Sequence, residues 1–299
     1  MKIKLSYFLL YGLFHVQLTN GQDENHLFVF DGQLQWTNPA VVGFKQESNL
    51  GVLIDSQWLG IKDAPKQQSV YFESYRTIQN LNLGGVIRNR SRFGEQNIQL
   101  VLQSAYPLQL KPDTFLHLGL QITGDFFSSD YTYLRSVDGV LNDPLLLPQK
   151  RFLPNLGLGF SLFKKNFWIQ AAVPRLLDQY FIKNNPTLFL RNTLYFFGGI
   201  GAELLTTPNA YSLKLNGYVH NLAYDRLSFQ LKGTLGLRFG ELIFGINSSK
   251  NMGIGFQLSQ RDFLKFGYFF QFPYWTTTEL NKTNHSLSLL IKLSTKNNN

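Results

Sequence analysis

The chain has 299 residues, no cysteine, 16% charged residues, a formal charge of +9 and 15% aromatics, including 27 Phe and 14 Tyr. The missing cysteines exclude a disulfide framework or thiolate metal site, and the dispersed basic residues, never five in a row, argue against a nucleic-acid footprint. Few charges, many aromatics and only 44% hydrophobic residues exclude a bundle of membrane helices and match a wall with one apolar and one polar face.

Met1 to Gly21 has the form of a secretory signal peptide. Lys2 and Lys4 precede an apolar stretch from Leu5 to Val16, and Thr19-Asn20-Gly21 offers small residues before Gln22. The apolar stretch is shorter than the roughly 20 residues that span a bilayer as a helix. No later run is long enough either, so any membrane crossing must be made by strands.

Residues 22–47 are expected to form a periplasmic segment before the first strand. Within it, Asn38-Pro39 is a turn-forming pair, because proline restricts the residue before it to extended or turn conformations. Fourteen strands are then expected, at 48–58, 66–76, 81–90, 95–105, 114–124, 154–163, 166–173, 193–205, 210–219, 227–239, 241–247, 251–259, 263–272 and 284–293. The clearest is the tenth. Leu227, Phe229, Leu231, Leu235, Leu237 and Phe239 share one face, and Ser228, Gln230, Lys232, Thr234, Gly236 and Arg238 share the other. In the sixth, Leu156, Leu158, Phe160 and Leu162 oppose Asn155, Gly157, Gly159 and Ser161. A face so rich in Gly and polar residues is poor core for a sandwich and suits a barrel lumen.

Connections after even-numbered strands are short and those after odd-numbered strands mostly longer. The expected fold is therefore all-β: a transmembrane antiparallel β-barrel of residues 48–293, with short periplasmic turns, longer external loops and a polar C-terminal tail at 294–299. The two longest loops, 125–153 and 174–191, are the expected docking features. Asp130, Tyr131, Tyr133 and Arg135 in the first, with Arg175, Tyr180 and Lys183 in the second, are the candidate partner contacts.

Reaction chemistry is not visible. The histidines, His15, His26, His117, His220 and His285, are scattered, and no pair has the spacing of a helical metal site. There is no Gly-x-Ser-x-Gly, phosphate loop or dinucleotide fingerprint, so no enzyme activity and no cofactor are expected. The polar faces carry Arg88, Lys214, Lys232, Arg238, Lys265 and Lys292 with Asp55, Glu73 and Glu203. These charges are expected to pair across a filled interior; a basic lumen that favours anions is the alternative.

Several of these residues resemble the PorP/SprF family of type IX secretion and gliding-motility outer-membrane proteins. Gln22-Asp23 follows the expected cleavage site. Asn38-Pro39-Ala40 with Gly43 is similar to the family's early Asn-Pro-Ala-Phe-x-Gly element. Gln57-Trp58, Gly60 and Ala64-Pro65 resemble its first external hairpin, and Asn284–Leu293 resembles its closing strand. The chain departs from the family in Glu24 to Thr37, where an aromatic-rich stretch is usual, and in its polar tail. The resemblance implies a non-catalytic barrel that helps export or retain a secreted surface protein or adhesin bearing a type IX C-terminal sorting domain. The implied partners are that protein, other type IX secretion components and outer-membrane lipid. A passive porin or small-solute channel is the competing expectation. Asn38, Pro39, Ala40, Gly43, Gln57, Trp58, Gly60 and Pro65 are expected to be structural, with Trp58 an interface anchor.

Overall fold

In a computed structural model, residues 29–78, 80–132, 147–178, 195–206, 211–221, 227–260, 263–274 and 283–293 are described. The expected leader, the tail at 294–299, and Tyr133, Arg135, Tyr180 and Lys183 lie outside them. A short helix, α1 (Asp31–Thr37), and a 3-10 turn (Pro39–Val41) precede fourteen strands. In chain order these are β1 (Ser48–Gln57), β2 (Lys66–Ile78), β3 (Leu81–Arg92), β4 (Glu95–Lys111), β5 (Thr114–Ser129), β6 (Gln149–Lys164) and β7 (Phe167–Arg175). They continue as β8 (Tyr195–Thr206), β9 (Ser212–Asn221), β10 (Leu227–Leu237), β11 (Gly240–Asn247), β12 (Asn251–Gln260), β13 (Leu264–Pro273) and β14 (Asn284–Leu293).

Each strand pairs antiparallel with its sequence neighbours, and β1 pairs with β14 from Ser48↔Leu293 to Gln57↔Asn284, closing the barrel. Closure leaves no sheet edge with unmet hydrogen bonds over the paired rows, as a bilayer requires. Alternation then sorts the side chains. Leu231, Ile122 and Leu158 are 65%, 56% and 52% exposed, while Gln230, Gln121 and Asn155 are buried. The molecule is apolar outside and polar inside. An exposed apolar area this large is unfavourable in water by about 25 cal/mol per Å2, and becomes neutral against lipid tails.

Both ends of the chain's barrel portion, Ser48 and Leu293, lie at one rim, called here the termini end. Turns at that rim span only positions such as 112–113, 165–166 and 238–239, whereas the opposite rim carries 58–65, 130–148, 176–194 and 274–283. The loop expected at 125–153 is shorter than that range, because β5 runs to Ser129 and β6 begins at Gln149. Likewise β4 runs to Lys111, past Pro107. Proline ordinarily interrupts a central strand, since it cannot donate to the ladder. Here β3 pairs with β4 only as far as Asn82↔Ala105, and β7 joins β6 only from Leu158↔Val173. Pro107 and Pro154 therefore each border a stretch with a partner strand on one side alone.

The described part of the N-terminal segment does not hang below the barrel. It lies inside the lumen. Phe30 and Val29 pack with Leu53, Ile243 and Phe269, and Leu34 packs with Ala172, Phe197 and Tyr218. Trp36 bridges toward the group formed by Tyr71, Val86, Val101 and Leu290. Wall glycines make room for this plug. A Cβ at Gly119 would stand 2.3 Å from the Ala40 nitrogen, and one at Gly159 would stand 2.1 Å from Asn38 Oδ1. Against Ala40 the obstacle is backbone, which cannot swing aside. Gly119→Leu should therefore unseat the plug and destabilise the protein by about 1–3 kcal/mol. Heat-modifiability on gels would report a lower unfolding temperature, and proteinase K would cut between residues 31 and 42 in the variant but not in the parent.

Candidate functional site

Beside the apolar clusters, the plug is held by polar side chains of the lumen, many of them amides. Gln33 Oε1 accepts from the Val29 and Phe30 amides at 2.6 and 3.0 Å, closing the start of α1. Gln35 Nε2 donates to the Phe72 carbonyl at 2.9 Å and to Gln103 Oε1 at 3.0 Å, and Gln103 Nε2 returns a bond to the Gln35 carbonyl at 2.6 Å. Lys232 Nζ donates to the Val29 carbonyl at 3.0 Å. Buried amides with complete partners fix a single arrangement, because any shift leaves desolvated groups unpaired.

The Asn38-Pro39-Ala40-Gly43 element is the lower half of this plug. Asn38 Oδ1 accepts from the Ala40 amide at 3.0 Å, so the expected turn is present as the cap of the 3-10 turn. Its Nδ2 donates to Ser161 Oγ at 3.2 Å and to the Phe160 carbonyl at 3.3 Å, tying the turn to β6. Val42 presents its carbonyl to Asn82 Nδ2 at 3.0 Å. Gly43, at φ +66°, donates its amide to Glu73 Oε2 at 2.9 Å, and Glu73 Oε1 also accepts from Asn49. A side chain at Gly43 would both meet Asn82 and disfavour that φ.

The second motif lies at the opposite rim. Gln57 donates its amide to the Pro65 carbonyl at 3.0 Å, closing the β1–β2 hairpin, and Trp58 donates its amide to the Thr283 carbonyl at 2.9 Å, joining that hairpin to the approach to β14. The Trp58 ring lies 5.8 Å from Phe93. Gly60, at φ +93°, faces open space. The two motifs are thus separate: one fills the lumen, the other shapes the long-loop rim.

Among the candidate loop contacts, Asp130 and Tyr131 are on the rim. Asp130 accepts from the Thr132 hydroxyl and amide at 2.7 and 3.0 Å, bonds that hold its carboxyl below the usual range. Tyr131 donates its hydroxyl to Glu95. Asp130 and Glu95 line a groove whose lining also includes Asp63, Arg92, Gln149 and Lys150. Arg175 is employed differently. Its guanidinium bridges Asp125 at 2.6 Å and Asp178 at 2.7 Å, and Asn155 Nδ2 donates to Asp178 at 2.7 Å. Asp125 and Asp178 are both buried, so the first turn of the β7–β8 connection folds inward over the lumen instead of rising from the rim. Sequence reading placed Asp125 in a loop, set Asn155 on a polar strand face without a partner, and gave no weight to Asp178, Gln35, Gln103 or Gln121. The one available signal was the recurrence of Gln and Asn on polar strand faces.

The charged lumen residues that bear on the plug are engaged. Besides Lys232 and Glu73, Arg88 donates to Gln99 Oε1 at 2.7 Å and lies over the Trp36 ring at 5.1 Å, and Lys292 pairs with Glu47 at 2.7 Å nearer the termini end. Among the described residues no cluster of His, Asp and Glu is suited to a metal ion. His117 lies against Ala40 and the Phe44 ring, whereas His285 faces outward and bonds to the Tyr268 hydroxyl at 2.8 Å.

Removing one member of a buried ion pair strands the other. Arg175→Leu should cost about 3 kcal/mol or more by leaving Asp125 and Asp178 without their cation, and adding Asp125→Asn should recover part of that loss. Denaturant unfolding measures both. An unchanged midpoint for Arg175→Leu would mean that the residue acts as a surface group.

A family model described as the type IX secretion system membrane protein PorP/SprF matches residues 33–291, a span that includes most of α1, the plug turn and nearly all of the barrel. No curated protein matches the chain. Among solved structures, the barrel is similar to the outer membrane protein Omp33 of Acinetobacter baumannii, at 6% identity over 83% of this chain and 99% of that one, with a TM-score of 0.50. A FadL homologue of Pseudomonas aeruginosa is 11% identical over 91% and 96% of the two chains, with a TM-score of 0.47. The Omp33 likeness concerns the outer-membrane barrel fold alone. The chain belongs to the PorP/SprF family of type IX secretion system membrane proteins.

Proposed function

We propose that this barrel is a non-catalytic docking or anchoring partner for a secreted surface protein with a type IX C-terminal sorting domain. In this reading the chain is exported through a cleaved leader and sits in the outer membrane. The termini end faces the periplasm, and the long-loop rim faces outward. Other type IX secretion components are its neighbours.

The observation that carries this reading is the occupied lumen. A passive solute channel needs an aqueous path along the barrel axis. Here residues 29–44 pack against the wall from Lys232 round to Ser161, and residues 174–178 fold inward beside β5 and β6 above them. A filled barrel offers its partner surfaces rather than passage. The surface of greatest reach is the long-loop rim, where the Trp58 hairpin, the end of β3 and the residues around Asp130 adjoin one another.

Affinity purification in mild detergent, followed by mass spectrometry, should recover a large surface protein carrying a C-terminal sorting domain. Replacing 133–146 or 179–194 with a short Gly-Ser linker should abolish that recovery, and surface retention of the partner, while the barrel remains inserted. Normal retention in both replacements would reject docking through these loops.

A further inference from the structure

We propose that three glutamines couple the plug to residues 174–178, where β7 leads into the β7–β8 connection, so that the two move as one element. Gln35 on α1 and Gln103 on β4 bond reciprocally, side chain to side chain at 3.0 Å and side chain to backbone at 2.6 Å. Gln103 Nε2 also donates to Gln121 Oε1 on β5 at 3.1 Å, and Gln121 Nε2 donates to the Pro174 carbonyl at 2.9 Å. All three side chains are buried. An amide has one acceptor oxygen and one donor nitrogen at its end, so a row of them transmits orientation. Turning one exposes or breaks the next, and bonds in such a row polarise one another.

Both ends of the relay are themselves tied to elements of the interior rather than to solvent. At one end, Gln35 sits in the same helix as Trp36 and two residues before Thr37, whose hydroxyl donates to the Leu34 carbonyl at 2.8 Å. At the other, Pro174 lies so close to β6 that a Cβ at Gly157 would stand 2.5 Å from its carbonyl oxygen. The chain beyond it is held by Leu176 N–H on the Leu156 carbonyl at 2.9 Å, Leu177 N–H on Asn155 Oδ1 at 3.0 Å, and the Arg175–Asp178 pair. Pro174 is therefore the point where the wall hands over to the long connection at 176–194. Loosening the plug should loosen that handover, and the reverse, since coupling between two sites is reciprocal. Given the docking face proposed above, occupancy at the long-loop rim would be felt at the plug on the termini side. That direction rests on the docking reading, whereas the coupling is testable in the free barrel.

Hydrogen exchange on the intact protein in detergent provides the test, with Gln→Met replacements that keep volume and remove the amide. Gln35→Met should speed exchange of the Leu176 and Leu177 amides roughly five-fold, the effect of one typical buried hydrogen bond, while β10–β12 stay at the parent rate. Gln121→Met should do the same there and also speed the Asn38 amide, which donates to the Leu34 carbonyl in the plug at 2.9 Å. Combining the two should add nothing further at Leu176 and Leu177, because either change alone already cuts the relay. Additive effects, parent-like exchange at Leu176 and Leu177 in Gln35→Met, or equal loosening of every strand would each overturn the proposal. If Gln35→Met fails to fold, the response of Asn38 to Gln121→Met decides the question alone.

Discussion

A ring of fourteen strands encloses more space than its own inward side chains can fill, and that space must hold either water or protein. This chain fills the middle of it with its own residues 29–44. The choice governs much of the remaining structure. Gly119 is a glycine because the plug's backbone passes over it and Gly159 because the Asn38 and Pro39 side chains do, Asn82 and Ser161 are polar because they receive the plug's amides and carbonyls, and Glu73 is anchored by an amide from Gly43. The inward face is thus a mould for one particular segment, while the outward face is generic apolar wall facing lipid.

The barrel was legible in the sequence because two solvents act on alternate residues. The face from Leu227 to Leu237 and its polar counterpart read directly as wall and lumen, the count of such alternating segments gave the strand number, and the alternation of short and long connections gave the shared rim of Ser48 and Leu293. Strand ends were less legible where proline intervened. Pro107 and Pro154 look like boundaries in a list of residues, and only the shear of the barrel shows that each lies where a neighbour strand is missing. The plug was not legible at all. Asn38 meets Ser161 across 123 positions, and Lys232 meets Val29 across 203, so no local pattern records either contact. The resemblance to the family singled out Asn38, Pro39, Ala40 and Gly43, and all four lie in the plug. Their turn was foreseen, but not that it is made inside the barrel.

The same distinction applies to Arg175. A basic residue at the root of a long loop reads as a surface contact, yet here two buried carboxylates claim it. What it does is direct the chain inward at 176–178, so the long connection leaves from above the lumen. The Trp58 hairpin and the Asp130 region instead build the rim beside the groove. Function on this reading belongs to what the barrel displays at that rim. The strand walls hold it in place, and the plug keeps the interior closed while it does so.

The central claim is that the lumen is closed by the chain itself. Single-channel recording of the purified, full-length barrel in planar bilayers tests it most directly. The account predicts no steady ion current across the reconstituted protein, with current appearing once residues 29–44 are removed and the inward fold at 174–178 is released. A steady, porin-like conductance from the intact protein would contradict it.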